Sequence, residues 1–260
     1  MFPDRTTVMT LNLWNDKRWA ERESAVESCL ETVRPDILCL QELRDVTQER
    51  IDSVLTTHDR VEDEFPGWTR EGNVYWNNEL YRAVEYGRER VGILEEHRRL
   101  FWVRLAPRNA TDRTMLVGTA HFTYPGNEVE RETGQSPRVE QAVKTVDALD
   151  RVARAGEPVL FAGDLNDPIH PYAILTEAGY TDCFSDLNVQ VRPTFPARPT
   201  KHDLATAIEI PLDWVFANDH ARSITATVPH FYHGDVAPSD HWPVLATYEL
   251  NWSSGEEREA

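Results

Sequence analysis

Short apolar runs in this chain lead into acidic or amide side chains, and this feature constrains the fold more than any other. Residues 37–40 are followed by Glu42, and residues 159–162 by Asp164. Short apolar runs suit buried strands, where a charged side chain is costly unless it binds something. The sequence therefore predicts a sheet-containing fold with its chemistry at strand ends.

The chain is long enough for one large core, with 260 residues of which 40% are hydrophobic. Strand and helix patterns mix along its length without a linker, so we predict one α/β domain over residues 1–252 and a polar tail over 253–260. We find no apolar run long enough for a membrane span and no signal-peptide pattern. Three cysteines without metal-ligand spacing fit a reducing cytoplasm, and we expect a cytoplasmic monomer.

Residue periodicity predicts the individual elements. The predicted strands cover residues 8–13, 36–40, 114–121, 158–162, 212–217, 223–228 and 244–250, with further strands and turns in 68–104. Helices are predicted over residues 20–33, from 45 onward, over 136–154 and over 171–178. In the second helix we expect Asp45 to cap the N-terminus and Val46, Ile51, Val54 and Leu55 to face inward.

The formal net charge of −17 argues against a broad basic surface for long duplex DNA. Of the 27 basic residues 24 are arginine, which fits either a salt-adapted surface or a GC-rich genome. Residues 82–113 hold eight arginines against five acids. That segment could bind a phosphorylated group or a short single strand stacked on Trp76 or Trp102, or it could form solvated strand faces with cross-strand ion pairs.

Glu42 and the pair Asp164 and Asn166 are candidates for metal and water chemistry. A carboxylate at the end of a buried strand is a suitable ligand for Mg²⁺ or Mn²⁺, although a lone Glu is more commonly a surface or capping residue. Residues i and i+2 share a side of an extended strand, so Asp164 could orient a water while Asn166 binds a phosphoryl oxygen. The alternative is an Asx turn, which both residue types favour.

The remaining candidates are an acid within a strand and two histidines. Asp213 interrupts an apolar run and needs a partner, for which His241 is the natural choice, unless the acid lies at a strand edge in water. Asp240, beside His241, could hold a metal. His121 ends a predicted strand, and alone it reads more readily as a structural residue.

In their order along the chain, these pieces resemble the endonuclease/exonuclease/phosphatase superfamily. The quoted pieces are Asn12, Gln41-Glu42, His121, Gly163-Asp164-Leu165-Asn166, Asp213 and Ser239-Asp240-His241, with weaker matches at Val91-Gly92-Ile93-Leu94 and Arg138-x-x-Gln141. The resemblance implies a four-layer α/β/β/α sandwich of two mixed sheets with its site at one edge.

The resemblance also implies the roles of the site residues. Asn12, Glu42 and Asp240 would surround a Mg²⁺ or Mn²⁺ ion. Asp164 and Asn166 would handle the nucleophilic water and the phosphate.

The histidines take the remaining roles. Asp213 and His241 would form an acid–imidazole pair. His121 would bind the phosphoryl group or protonate the leaving oxygen.

Two departures bear on the substrate. Abasic-site endonucleases carry an acid where this chain has Trp14, and they lack a histidine at the position of His121, which deoxyribonuclease I and sphingomyelinases have. The resemblance thus favours a phosphodiesterase of the nuclease or sphingomyelinase type. The alternatives are a phosphomonoesterase acting on an inositol-phosphate-like substrate and an inactive binding module on the same fold.

Overall fold

A computed structural model describes residues 4–110, 112–197 and 208–252. Its strands are β1 Arg5–Asn12, β2 Ile37–Gln41, β3 His58–Arg60, β4 Gly72–Asn77, β5 Tyr81–Glu89, β6 Leu100–Pro107, β7 Met115–His121, β8 Val159–Asp164, β9 Thr181–Asp182, β10 Asp213–Ala217, β11 Ala221–Thr227 and β12 Val244–Leu250. Its helices are α1 Trp19–Val33, α2 Asp45–Val54, α3 Gly67–Arg70, α4 Glu128–Thr133, α5 Pro137–Val152, α6 His170–Glu177 and α7 Cys183–Asp186. The predicted tail, 253–260, lies outside the described residues.

The strands form two six-stranded mixed sheets. Sheet A has the order β11-β12-β1-β2-β4-β3, and sheet B has the order β5-β6-β7-β8-β10-β9. One hydrophobic cluster, with Val8, Val117 and Val215, lies between the sheets. Two further clusters fill the outer faces, one under α1 and α2 and one under α5 and α6. The α/β/β/α sandwich that the resemblance implies is confirmed.

The outer helices follow from apolar residues at helical spacing. On α1, Val26, Cys29 and Leu30 recur on one face and are fully buried against sheet A. The helix ends at Val33, and Arg34 adopts a left-handed conformation just before Pro35. The predicted helix over 20–33 is therefore correct to within one residue.

The prediction for the start of α2 is wrong by one residue. Arg44 is the capping residue, and its N–H donates to the Thr47 hydroxyl at 3.0 Å, while Asp45 is already helical. Val46, predicted to face inward, is 44% exposed because the buried face of this helix runs through Thr47 and Ile51. The apolar pattern predicted the wrong buried face because one of the residues on that face, Thr47, is polar.

Strand direction brings the predicted polar residues to one edge of the sandwich. β1 and β2 are parallel with Asn12 opposite Gln41, and β7 and β8 are parallel with His121 opposite Asp164. Gln41 also links the two sheets, since its Nε2 donates to the Thr119 hydroxyl at 2.8 Å. No helix in the described part of the chain is both long and apolar enough to cross a membrane.

Candidate active site

Three adjacent strands of sheet B place an imidazole and two carboxylates in one row. His121 on β7 and Asp213 on β10 both lie directly opposite Asp164 on β8. β7 and β8 approach so closely here that a Cβ atom added at Gly163 would lie 2.0 Å from the Ala120 carbonyl oxygen. The glycine before Asp164 therefore permits the contact that brings these residues together.

Sheet A contributes Asn12 and Glu42. The Asn12 amide nitrogen donates to Glu42 Oε1 at 3.2 Å and to Asp164 Oδ2 at 3.0 Å, so it bridges the two sheets. Glu42 has a φ of 55°, a left-handed conformation that costs energy in a non-glycine residue. Its carboxylate also accepts a short hydrogen bond from the Asn15 amide, a residue that sequence reasoning did not single out.

His241 and Asp213 form the expected acid–imidazole pair. The Asp213 carboxylate accepts from His241 Nδ1 at 2.7 Å, and both residues are buried. This fixes the tautomer so that Nε2 faces Asp164 Oδ2, 3.8 Å away. Burial lowers the pKa of His241, but the charges of Asp213 and Asp164 outweigh burial and raise that pKa well above its usual range. The direction of this shift favours the protonated imidazole.

Two buried acids at the site have raised pKa values. Burial raises the pKa of Asp164, the charge of His241 partly opposes that shift, and the neighbouring charge of Asp213 adds to it. Burial likewise raises the pKa of Asp240, with a further contribution from Glu42. The Asp240 carboxylate accepts one weak hydrogen bond, from the Ser239 hydroxyl at 3.3 Å. A cation bound between these acids would relieve the repulsion.

A second acid–imidazole pair, which sequence reasoning missed, orients His121. Its Nδ1 lies 2.9 Å from Glu71 Oε1, Arg98 Nε lies 3.0 Å from the same oxygen, and Arg98 Nη2 contacts the same Nδ1. Burial raises the pKa of Glu71, but Arg98 and His121 lower it to about 2. The other ring nitrogen, Nε2, lies 3.5 Å from Asp164 Oδ2 and 3.9 Å from Glu42 Oε1, so it faces the candidate site.

Asn166 adopts the Asx turn rather than the extended geometry. Its φ is 51°, its N–H donates to Asp164 Oδ1 at 2.8 Å, and its amide nitrogen donates to the Phe122 carbonyl at 2.9 Å. The expectation that Asp164 and Asn166 share one side of a strand is therefore wrong, because β8 ends at Asp164. Asn166 still lies beside the acid and fixes the loop after it.

The arginine-rich segment is mostly occupied by internal contacts. Arg104 is buried and pairs with Glu85, its cross-strand neighbour, and with Glu157 at 2.8 Å. Trp76 and Trp102 are buried, so the idea that a nucleic-acid base stacks on them is wrong. The cross-strand ion-pair reading describes Arg104 best.

The residues present fit a hard divalent cation. Carboxylate and amide oxygens of Asn12, Glu42 and Asp240 are the donor type that Mg²⁺ and Mn²⁺ prefer. Among the described residues, the buried oxygens Asn15 Oδ1 and Asp213 Oδ1 receive no hydrogen bond. Ligand atoms of Asp164, Asp213 and His241 also lie within 4.8 Å of one another, but the dyad contact already engages two of these residues.

The two-sheet sandwich with this polar cluster at its edge defines a deoxyribonuclease I-like α/β protein. The chain belongs to the endonuclease/exonuclease/phosphatase family, whose model matches residues 9–241. Among curated proteins, none matches the sequence significantly.

Solved structures share the fold at low sequence identity. TDP2 from D. rerio, solved with a single-strand DNA product, is 15% identical with a TM-score of 0.76, over 94% of this chain and 98% of that one. A mannosyl-6-phosphatase from Bacteroides thetaiotaomicron is 18% identical with a TM-score of 0.74, over 94% and 99%. The human Nocturnin catalytic domain with a bound sulfate is 18% identical with a TM-score of 0.72, over 96% and 94%.

Proposed function

We propose that this chain is a divalent-metal-dependent phosphoesterase that hydrolyses a phosphodiester by in-line attack of water. The observation that carries the proposal is the meeting of polar groups from both sheets at Asp164. Asn12 hydrogen-bonds both Glu42 and Asp164, and the imidazoles of His121 and His241 lie 3.5 Å and 3.8 Å from Asp164 Oδ2. Membership of the family and its hydrolase-type structural neighbours support the same class of reaction.

Glu42, Asp240 and Asn12 would hold the ion. When bound, a divalent cation supplies positive charge to a phosphoryl oxygen and to the leaving oxygen. The Asn12 amide, shared between Glu42 and Asp164, would keep the ion-binding acid next to the acid that handles water. The raised pKa values of Asp164 and Asp240 are consistent with a site shaped for added positive charge.

We assign water activation to Asp164 rather than His241. A carboxylate whose pKa is raised by burial is a better base than an ordinary one, whereas the raised pKa of His241 favours the protonated form, which cannot accept a proton from water. Asp164 takes a proton from water as the water oxygen bonds to phosphorus and the bond to the leaving oxygen breaks. His121 and His241 both turn Nε2 toward Asp164, and the one on the leaving side protonates the departing oxygen.

Substrate choice separates the main candidates. TDP2 holds a single-strand DNA product and the Bacteroides relative is a mannosyl-6-phosphatase, so the fold accommodates both a nucleic-acid and a sugar-phosphate substrate in its relatives. The family resemblance and His121 favour the diester. A panel of single-stranded DNA, RNA, duplex DNA, inositol phosphates and sphingomyelin would identify the substrate.

The first test is hydrolysis of bis-p-nitrophenyl phosphate, with p-nitrophenyl phosphate as the monoester control. We expect activity with Mg²⁺ or Mn²⁺ and a fall on the order of 10²–10³ in Glu42→Gln. Glu49→Gln, on the exposed face of α2, is the matched control and should retain full activity. Metal-dependent hydrolysis that is undiminished in Glu42→Gln would refute the assignment. A wild-type protein whose stability shows no saturable Mg²⁺ effect would instead indicate an inactive binding module.

A further inference from the structure

Arg22 is a buried cation near the predicted metal ligands. It lies early in α1 and is only 2% exposed. Its guanidinium carbon lies 5.5 Å from the Trp14 ring and 5.2 Å from the Trp19 ring. Buried arginines usually pair with carboxylates, but the hydrogen bonds that Arg22 makes within the described residues go to main-chain carbonyl oxygens.

Those carbonyls belong to two different loops that lead to the candidate site. On the loop after β1, Nε donates to Lys17 at 2.7 Å, and Nη2 donates to Trp14 at 3.2 Å and Asn15 at 2.7 Å. On the loop before β12, Nη1 donates to Pro238 at 2.8 Å, two residues before Asp240. One planar guanidinium therefore joins the two loops.

The first loop has a conformation that needs such support. Trp14 and Asn15 have φ values of 58° and 53°, a left-handed geometry that is unfavourable for a residue with a Cβ atom. From this loop, the Trp14 N–H donates to Asn12 Oδ1 at 2.9 Å, and the Asn15 amide donates to the Glu42 carboxylate. The orientation of Asn12 and Glu42 therefore depends on a loop whose main-chain carbonyls are hydrogen-bonded to Arg22.

The charge of Arg22 acts on the same acids. Burial lowers the pKa of Arg22 to about 10, and the attraction of Asp240 and Glu42 opposes that shift. The side chain therefore stays charged at neutral pH and draws both acids toward the same region.

We propose that Arg22 is a positioning residue that sets the divalent-cation affinity of Glu42 and Asp240. It does so by holding in one geometry the loop after β1, whose Asn15 contacts Glu42, and the loop before β12, which carries Asp240. The inference rests on the proposed function, because it requires a cation at those acids. The planar fork is the essential property. Lysine carries the same charge, but its single ammonium lacks the three separate nitrogens from which Arg22 makes its four bonds to carbonyl oxygens.

The test compares Arg22→Lys and Arg22→Met with wild type, using calorimetric titration with Mg²⁺ alone and the melting temperature without metal. Loss of residues that orient metal ligands typically weakens metal binding about 10–100-fold, and we expect that range for Arg22→Lys. Arg104→Lys is the matched control, since Arg104 is equally buried and also donates to a carbonyl, that of Val152. It should lower the melting temperature without changing the Mg²⁺ dissociation constant.

A double-mutant cycle covers the case in which Arg22→Met does not fold. If Arg22 acts through the loop that carries Asn15, then Asn15→Ala and Arg22→Lys should weaken Mg²⁺ binding less than additively. Wild-type Mg²⁺ affinity in Arg22→Lys, or full additivity with Asn15→Ala, would overturn the positioning role. Absence of Mg²⁺ binding in wild type, or binding unchanged by Glu42→Gln, would overturn the proposed function first and the role of Arg22 with it.

Discussion

The two histidines of the candidate site are each oriented by a buried acid, but only one of the two acids also has an arginine beside it. Glu71, behind His121, faces Arg98 at 3.0 Å, and its pKa falls to about 2. Asp213, behind His241, has the imidazole as its partner among the described ion pairs, and its second oxygen receives no hydrogen bond.

The comparison shows how one fold can give two imidazoles different tasks. Glu71 has two partners, Arg98 and His121, which together lower its pKa. His241 is the cation for Asp213 and Asp164, and its pKa rises accordingly. We infer that His241 stabilises charge during the reaction, whereas His121 mainly positions and donates a hydrogen bond.

The largest expected effect comes from removing each histidine. General acid–base and charge-stabilising groups contribute about 10²–10⁴ in rate, and we expect His241→Ala near the upper end and His121→Ala near the lower end. Steady-state hydrolysis of bis-p-nitrophenyl phosphate at saturating Mg²⁺ measures both. His220→Ala is the control, because His220 also lies beside an acid, Asp219 at 3.5 Å, but in the turn before β11, outside the candidate site. Equal losses in the two variants would remove the proposed division of tasks.

A smaller effect is expected on stability, through Glu71. Its folded pKa is about 2, below the value near 4.3 of an unfolded chain, so its contribution is present above about pH 4.3 and lost as pH falls toward 2. The shift corresponds to about 3 kcal/mol. Glu71→Gln should therefore lower the free energy of unfolding at pH 7, and the difference from wild type should shrink below about pH 4.3.

Urea denaturation across that pH range, without metal, measures the Glu71 contribution. Glu95→Gln serves as the control, because Glu95 also pairs with Arg98, at 3.3 Å, but its side chain is 38% exposed. A difference between Glu71→Gln and wild type that is constant over pH would show that packing rather than charge explains the loss.

The smallest expected effect is that of salt on stability, which should act on the charged surface more than on the buried site. At a formal charge of −17, self-repulsion should destabilise the protein in dilute buffer, whereas buried pairs such as His241 with Asp213 are little affected by salt. We expect the melting temperature to climb from dilute buffer to molar KCl by about 3 °C, equivalent to about 1 kcal/mol. A rise that continues after screening saturates would support salt adaptation, and a flat curve would favour genome composition as the cause of the arginine excess.

The strands of the sandwich and most of the site residues could be predicted from the sequence. Apolar runs indicate buried strands, and the polar residues that follow them indicate where those strands end. Asn12, Glu42, Asp164, Asp213 and His241 do meet at one edge. Glu71 was missed because it precedes its strand rather than follows it. β4 is antiparallel to β2 with Gly72 opposite Gln41, so the start of β4 lies at the same edge as the end of β2. Sequence order alone does not reveal that reversal.

Arg22 and Asn15 illustrate a second limit. Arg22 reads as a charged residue on an amphipathic helix, and only the fold places two loops around its guanidinium. Asn15 follows a tryptophan in a polar loop, and its contact with Glu42 depends on left-handed backbone geometry at both residues. Local patterns carry no information on such long-range main-chain contacts.

The pairing of β12 with β1 affects when activity can arise during synthesis. In sequence order, β12 is the last strand in the described part of the chain, and its residues Val244 to Leu250 complete the antiparallel pairing with β1. His241 lies three residues before that strand. A nascent chain interrupted before His241 would already carry Glu42 and Asp164 but would lack the imidazole. We therefore expect such incomplete products to be inactive, although they contain part of the candidate metal site.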